Sequence, residues 1–471
     1  MSAATVDAEQ ALVVGIGLSG TAAAKYLASA GTRVVACDDE SGDAVVRRAE
    51  DLIELGVDVH LGCGFSGGDA AGAADVDELL AGADLVVASP GVPPRHPVLA
   101  AAASAGLRVW SEVELAAQVA EAELVAITGT NGKTTVTTAI GAVLSAAGRP
   151  VATCGNIGTP MIEAAAELSS DAVLVVEVSS FQLTLTDTFR ARVGVLLNVS
   201  EDHLDWHSSF AEYAEAKARV WANQTPADLA VGCADDATVT ALLDDAGGRH
   251  ATFSSGAPAG VGTGYVDGRL VIRGGAYGDA DVMAAAELAD ASPTGRSNAA
   301  AVACVCADLG VFPDALAGAL ARFRPPAHRL ADLGVWEGIR FVDDSKATNP
   351  AAALAALAAY DRVVLIAGGR NKGLDLSVLA RAASRLVAVV AIGDAAAEVS
   401  AVFEAAGIPV VTATSMHDAV DAALASATEG DVVLLSPACA SFDWYTGYAQ
   451  RGRDFAAAVA ARTGLDTGVG T

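Results

Sequence analysis

Positive charge is what this 471-residue chain has least of: 29 Lys and Arg stand against 57 Asp and Glu, a net charge of −28 at pH 7. Nucleic acid needs a basic footprint, so that class of partner is excluded. Long apolar runs are also missing. The 52% of hydrophobic residues is mostly Ala and Val in short pieces broken by Gly or charge, and no stretch approaches the roughly 18 uninterrupted apolar residues of a membrane span. Met1–Gln10 carries acids and no apolar centre, which argues against a secretory leader. The seven cysteines are scattered, with no paired CxxC set, and read as small buried hydrophobes in a reducing compartment. A cytoplasmic protein, monomeric, with small-molecule ligands and neither membrane nor nucleic acid among its partners, is expected.

Lysine is the scarcest charge of all. Only Lys25, Lys133, Lys217, Lys346 and Lys372 occur, and Arg supplies the rest. A general compositional bias explains the depletion but not which lysines survive. Sites where a compact ammonium or a neutral amine does what guanidinium cannot are the natural exceptions. Anionic ligands remain feasible because repulsion from distant carboxylates is screened beyond about 8–10 Å in physiological salt.

What is present begins with the apolar run Leu124–Ile127, followed by Thr128-Gly129-Thr130-Asn131-Gly132-Lys133-Thr134-Thr135 and a helix-like stretch. This reads as a phosphate loop, with glycines turning amides inward, Lys133 reaching the outer phosphates and the Thr134 hydroxyl set for Mg²⁺. Ile127 stands where the usual pattern has its first Gly; a plain glycine-rich strand-to-helix turn is the competing interpretation. Upstream, strand Ala11–Val14 runs into Gly15-Ile16-Gly17-Leu18-Ser19-Gly20, a helix, and strand Thr32–Cys37 ending at Asp38-Asp39. That pattern suits a nicotinamide cofactor, another nucleotide diphosphate, or simply a close strand-helix turn. Leu85–Ala88 leads into the turn Ser89-Pro90-Gly91-Val92-Pro93.

Further along, Gly155-Asn156-Ile157-Gly158 forms a loop, and the buried strand Val173–Val176 is tipped by Glu177, placed as a second Mg²⁺ partner. Strand Val193–Val199 ends at Glu201-Asp202-His203, with Asp205 just beyond, a metal or substrate contact. Phe210–Asn223 is a helix bearing Lys217; Tyr265–Ile272 is a hairpin turning at Asp267-Gly268, between flanks from Ser254 to Ala291 expected to be exposed. After the break at Phe323-Arg324-Pro325-Pro326, strands Ile339–Asp343, Val363–Ala367 and Val432–Leu435 end in Asp344-Ser345-Lys346, Gly368-Gly369-Arg370-Asn371-Lys372 and Ser436-Pro437-Ala438-Cys439. Every polar cluster falls at a strand's carboxyl end, where open parallel sheets bind ligands. The fold class is α/β in three domains: a Rossmann-like domain over 1–118, a central P-loop ATPase-like domain over 119–325, and a C-terminal Rossmann-like domain over 326–471.

The phosphate loop with Gly155-Asn156-Ile157-Gly158 and His328-Arg329 resembles the Mur ligases. Glu177-Val178-Ser179-Ser180-Phe181-Gln182-Leu183, Asp344 to Pro350 and Ser436 to Phe442 are similar to the branch that adds D-glutamate, over Leu12 to about Phe455. The resemblance implies ATP-dependent amide synthesis through an acyl phosphate, joining D-glutamate to UDP-N-acetylmuramoyl-L-alanine. It implies ATP held by Gly129, Thr130, Asn131, Gly132, Lys133, Thr134, Thr135, Asn298, Arg329 and Asp344. It implies one Mg²⁺ on Thr134 and Glu177 and a second on His203 and a carbamylated Lys217. The UDP substrate would meet Gly17, Leu18, Ser19, Asp38, Ser89, Pro90, Gly91, Asn156 and Ser179. D-Glutamate would meet His203, Lys346, Thr348, Lys372, Ser436 and Phe442. Two departures stand out: Asp343 where the family has Asn, and Gly295-Arg296-Ser297 where a His-Asn pair precedes Asn298. A sister ligase, a folate polyglutamating enzyme and a nicotinamide-binding oxidoreductase are the alternatives.

Overall fold

In a computed structural model that describes residues 6–65, 76–204, 206–274 and 278–467, three sheets carry the chain. The first holds strands β1 (Gln10–Val14), β2 (Arg33–Asp38), β3 (Asp58–Leu61), β4 (Leu85–Ala88) and β5 (Arg108–Ser111), all parallel in the order β3-β2-β1-β4-β5. Order reverses between β1 and β4, and the turns Gly15–Gly20 and Ser89–Pro93 issue from those two strand ends. A crevice is therefore built into the topology. Leu12, Val14, Val86 and Ala88 are sealed beneath helices, as a sheet covered on both faces requires.

The second sheet contains β6 (Glu123–Thr128), β7 (Val151–Gly155), β8 (Val173–Glu177), β9 (Val193–Leu196), β10 (Leu229–Cys233), β11 (Arg249–Phe253), β12 (Gly262–Val266), β13 (Arg269–Arg273) and β14 (Ala280–Ala284). Its order is β14-β13-β12-β11-β10-β9-β6-β8-β7. The phosphate loop leaves β6 where the order reverses again. The flanks of the expected hairpin are exposed only in part: Gly256, Ala257, Ala259, Gly260 and Val261 are open to solvent, whereas Ser254, Thr263 and Val282 are buried. β12–β14 extend this sheet as antiparallel strands with Tyr265, Leu270, Val271, Ile272 and Met283 buried. Period-two alternation is short there, and Gly and Ala flanks obscure it. The turn itself is as expected: Asp267 and Gly268 have φ of 50° and 73°, the paired left-handed residues of a tight hairpin.

The third sheet holds β15 (Ala331–Trp336), β16 (Ile339–Asp343), β17 (Val363–Gly368), β18 (Leu386–Ile392), β19 (Val410–Thr412) and β20 (Val432–Ala438), ordered β15-β16-β20-β17-β18-β19 and parallel except for β15. One compact unit comprises 1–199, 211–289 and 297–323 and contains the first two sheets; the other comprises 200–210, 290–296 and 324–471 and contains the third. All seven cysteines are buried and reduced.

Candidate functional site

The first glycine turn lines a cavity of about 450 Å³ together with Asp38 and the Ser89–Pro93 turn. Two glycines are sterically required. Gly15 has φ of 90°, and a Cβ there would stand 2.9 Å from that of Ser89; a Cβ on Gly20 would meet the Gly15 carbonyl at 2.0 Å. The Ser89 hydroxyl donates to that same carbonyl at 2.8 Å, so the second turn braces the first. Helix Leu18–Ser29 starts at this rim, its free amides facing the end where a diphosphate is favoured. Asp38 accepts from the Ile16 amide at 2.5 Å and the Glu40 amide at 2.9 Å, which makes it the loop's own staple. Arg48 binds the Ile16 carbonyl at 2.9 Å, and Leu18 is largely exposed. Gly17, Ser19, Pro90 and Gly91 line the same cavity.

The phosphate loop turns at Gly129 and Gly132, with φ of 151° and 86°. Lys133 Nζ donates to the Gly129 and Thr130 carbonyls at 2.8 and 3.0 Å. Lys217 Nζ, on a buried helix face, donates to the same Gly129 carbonyl at 2.9 Å and lies 4.3 Å from the centre of the Tyr213 ring. Two of the five lysines thus converge on one loop oxygen. Tyr213 Oη and Thr130 Oγ1 are 3.1 Å apart. Asn298 meets the loop as well, since a Cβ on Gly132 would stand 2.7 Å from its Oδ1. Thr134 and Thr135 are buried in the first turn of helix Lys133–Ala146.

Strand register aligns Glu177 with Ile127, the residue just before Thr128. Asn156 Nδ2 donates to Glu177 Oε1 at 3.2 Å, and Gly155, with φ of 100°, lets the chain pass where a Cβ would be 2.4 Å from the Glu177 carbonyl. Glu177 Oε2 is buried with no hydrogen-bond partner. An orphaned carboxylate oxygen beside a phosphate loop costs stability unless a cation completes it, so Glu177 and Thr134 fit a Mg²⁺ ion. Among the described residues no group of three or more His, Cys, Asp or Glu gathers as a cage. Mg²⁺ that keeps water and takes phosphate oxygens needs only one or two protein ligands.

Ser179 caps helix Ser180–Thr184 in a reciprocal box with Gln182. Gln182 Nε2 in turn donates to Glu112 Oε1 at 2.6 Å. Burial pushes the Glu112 carboxyl up to about 7, partly offset by the bonds from Gln182 and Ser19. Glu112 therefore links the first glycine turn to the motif that carries Glu177.

In the second unit, His203 has φ of 54° and its amide donates to Asp202 Oδ1 at 2.9 Å. Asp202 also accepts from Asn349 Nδ2 at 2.9 Å and pairs with Lys372. Burial alone would raise the Asp202 carboxyl; the charges of His203 and Lys372 and the bonds from Lys372 and Asn349 hold it below the usual range. Asp205 lies outside the described residues. His328 Nδ1 meets Asp343 Oδ2 at 2.6 Å, so the unusual acid at 343 is the partner of the His next to Arg329. Asp344 accepts from the Leu330 amide at 3.2 Å and from Ser436 Oγ at 2.9 Å. Burial pushes its carboxyl up to about 7 against those bonds and the Arg329 charge, with Asp343 adding to the rise. Ser436 is fully buried, its hydroxyl committed to Asp344. Lys346 Nζ lies 5.0 Å from the Tyr448 ring centre, the Thr348 amide bonds the Lys346 carbonyl, and Phe442 is largely exposed.

Sequence reasoning missed Asn198, Glu112, Glu114 and Arg451. Asn198 clasps Asn131 through both its amide atoms, at 2.8 and 3.1 Å; its place at a buried strand's tip was the available signal. Arg451, buried, reaches Ser345 Oγ at 3.0 Å, the Ser345 carbonyl at 2.8 Å and the Cys439 carbonyl at 3.1 Å, tying the loops after β16 and β20 together. It sits in a helix among other arginines, where nothing in the pattern singles it out.

Three family models match in order: "Mur ligase MurD-like, N-terminal domain" over residues 9–111, "Mur ligase middle domain" over 127–269, and "Mur ligase, glutamate ligase domain" over 328–439. Proteins named UDP-N-acetylmuramoylalanine--D-glutamate ligase are similar along nearly the whole chain. The one from Frankia casuarinae is 48% identical, covering 96% of this chain and 94% of its own length. That from Mycolicibacterium smegmatis is 40% identical, covering 96% and 97%. Among solved structures, the UDP-N-acetylmuramate-alanine ligase MurC of Thermotoga maritima aligns with a TM-score of 0.57 at 19% identity over 96% of this chain and 99% of that one. MurF of the same organism, in complex with ADP, aligns at 0.57 and 17% over 91% and 96%.

Proposed function

The chain belongs to the Mur ligase family, and from that premise we propose that it joins D-glutamate to UDP-N-acetylmuramoyl-L-alanine at the expense of ATP in peptidoglycan precursor synthesis. The convergence of Lys133 and Lys217 on the Gly129 carbonyl, beside the orphaned Glu177 oxygen, carries this reading. The obstacle to the reaction is electrostatic. A substrate carboxylate and a γ-phosphate at 4 Å repel by about 4 kcal/mol per pair of unit charges at an effective dielectric of 20. The Lys133 ammonium, with divalent cations held beside it, would lower that barrier where charge develops.

In this scheme the alanyl carboxylate oxygen attacks the γ-phosphorus, and the bond to the β-phosphate oxygen breaks to release ADP. The D-glutamate amine then attacks the acyl carbon, loses a proton, and phosphate leaves. Lys133 follows the transferring phosphoryl group. Glu177 and Thr134 hold one Mg²⁺, whose contribution when bound is neutralisation of phosphate charge. His203 and a carbamylated Lys217 would serve the second; a carbamate forms on an amine and not on a guanidinium. Asn298, Arg329 and Asp344 serve the nucleotide. Gly17, Leu18, Ser19, Asp38, Ser89, Pro90, Gly91, Asn156 and Ser179 serve the UDP substrate, and Lys346, Thr348, Lys372, Ser436 and Phe442 serve D-glutamate. The three domains divide this work as 1–118, 119–325 and 326–471. The test is phosphate release with ATP, Mg²⁺, the UDP substrate and either glutamate isomer. Release that does not depend on the D isomer would falsify the assignment.

A further inference from the structure

A cavity of about 590 Å³ opens in the second sheet's own domain, away from the phosphate loop. Arg192, Leu229 and Arg249 stand at or just before the amino ends of β9, β10 and β11, which pair in parallel register. The phosphate loop follows the carboxyl end of β6, parallel to the same strands. The two sites therefore lie at opposite edges of one sheet. Ile272 and Arg273 at the end of β13 and Asp308 at the end of helix Pro293–Asp308 also line it.

The charge is unusual for so acidic a chain. Three guanidinium groups line the cavity, with His250 beside them, against one lining carboxylate. Asp308 takes Arg192 Nη2 at 3.0 Å and Arg249 Nη2 at 2.9 Å. The remaining carboxylates are poorly placed: Glu123 stands 3.6 Å from Arg192 Nε, and Asp279 stands 3.8 Å from Arg273 Nε, beyond hydrogen-bonding distance. Arg192 Nη1 is buried without an acceptor. Pairing with Asp308 accounts for Arg192 and Arg249 as ties between strands and helix. It accounts neither for the open volume nor for Arg273, which also lines it.

We infer that this cavity is a second ligand site, for a small organic anion: a phosphate or carboxylate head on the guanidinium forks and a carbon skeleton against Leu229, Val261 and Ile272. Its volume falls within the roughly 300–1,000 Å³ of small-molecule pockets, and planar forks match either headgroup in pairs of hydrogen bonds. The inference does not depend on which reaction the phosphate loop serves.

Phenyl phosphate and phenylacetate, with phenol as the neutral control, are titrated calorimetrically into the full chain with Mg-ADP and UDP in excess to mask the nucleotide loops. Saturable binding of either anion, and not of phenol, is expected; the tighter anion identifies the headgroup. Arg273→Ala and Arg249→Ala should each weaken it about tenfold, equivalent to about 1.4 kcal/mol. Val261→Trp, at a half-exposed position tolerant of bulk, should abolish it by filling the space. Circular dichroism establishes that each variant is folded. No saturable binding by the wild type at millimolar anion, equal binding of phenol, or binding untouched by the Trp and Arg273 variants overturns the site.

Discussion

At the scale of single residues, the chemistry turns on a few groups whose surroundings decide their charge. Asp344 is held near neutrality by burial. Its folded-state pKa lies above the unfolded value, so its penalty to stability is absent at low pH, grows as pH rises from about 4 to about 7, and then levels off. Asp344→Asn should therefore raise the melting temperature at pH 8 and much less at pH 4, and on the proposed nucleotide role it should weaken ADP binding about tenfold. Thermal melts across pH and an ADP titration check both halves; a uniform loss of stability would contradict this account. Lys217→Arg keeps the charge of the unmodified lysine and removes the amine on which a carbamate would form. We expect turnover to fall by roughly two orders of magnitude or more with the fold intact, because guanidinium cannot carry a carbamate; steady-state kinetics beside a melting curve decides it. The placement of Lys133 and Glu177 at strand ends beside the phosphate loop was legible in the sequence, whereas Lys217, which its helix pattern left open as an ordinary surface lysine, is buried against that loop. Glu112 was not legible: an acid in the first turn of a helix is ordinarily a solvated favour to the helix dipole, and only packing reveals that this one is enclosed.

At the scale of elements, helix Glu112–Val119 is the joint between the first two sheets. Its Glu114, wholly buried, accepts from the amides of Asp187, Thr188 and Phe189 at 2.8, 3.0 and 2.9 Å and from the Thr188 hydroxyl at 2.7 Å. Glu114→Ala leaves three amides without that acceptor, and a loss of about 3 kcal/mol or more is expected at a cost of 1–3 kcal/mol per buried unmet donor, measured by urea unfolding. Arg451 does the same service for the loops after β16 and β20. Arg451→Met should cost a similar 3 kcal/mol or so, since at least three buried acceptors lose their donor, and should weaken ADP binding through the displaced Asp344-Ser345 turn. Both the positions of the strands and the places where the two glycine turns leave them were readable from apolar runs ending in glycine. The hairpin of β12 and β13 was readable from its Asp267-Gly268 turn, but its joining to the large sheet and the third antiparallel strand β14 were not, because no turn signal or alternation marks them.

At the scale of the whole molecule, the net charge of −28 repels every anionic substrate that approaches. Added monovalent salt from low to physiological strength should lower KM for the UDP substrate by a few-fold, because the screening length contracts from about 30 Å at 0.01 M to 8 Å at 0.15 M. Steady-state kinetics at fixed Mg²⁺ tests this, and a KM that rises over the same range would mean that local lysines govern the approach.

The main strands with polar loops at their carboxyl ends and the family to which the motifs belong were set by the amino-acid sequence alone. Apolar runs, obligatory glycines and rare lysines are local features that a linear chain displays openly. Which buried acids meet which amides, that Asp343 answers His328, and that Arg192, Arg249 and Arg273 line one cavity were decided by the tertiary structure. Those partners lie tens to hundreds of residues apart, and only strand register and packing bring their charges within hydrogen-bonding reach.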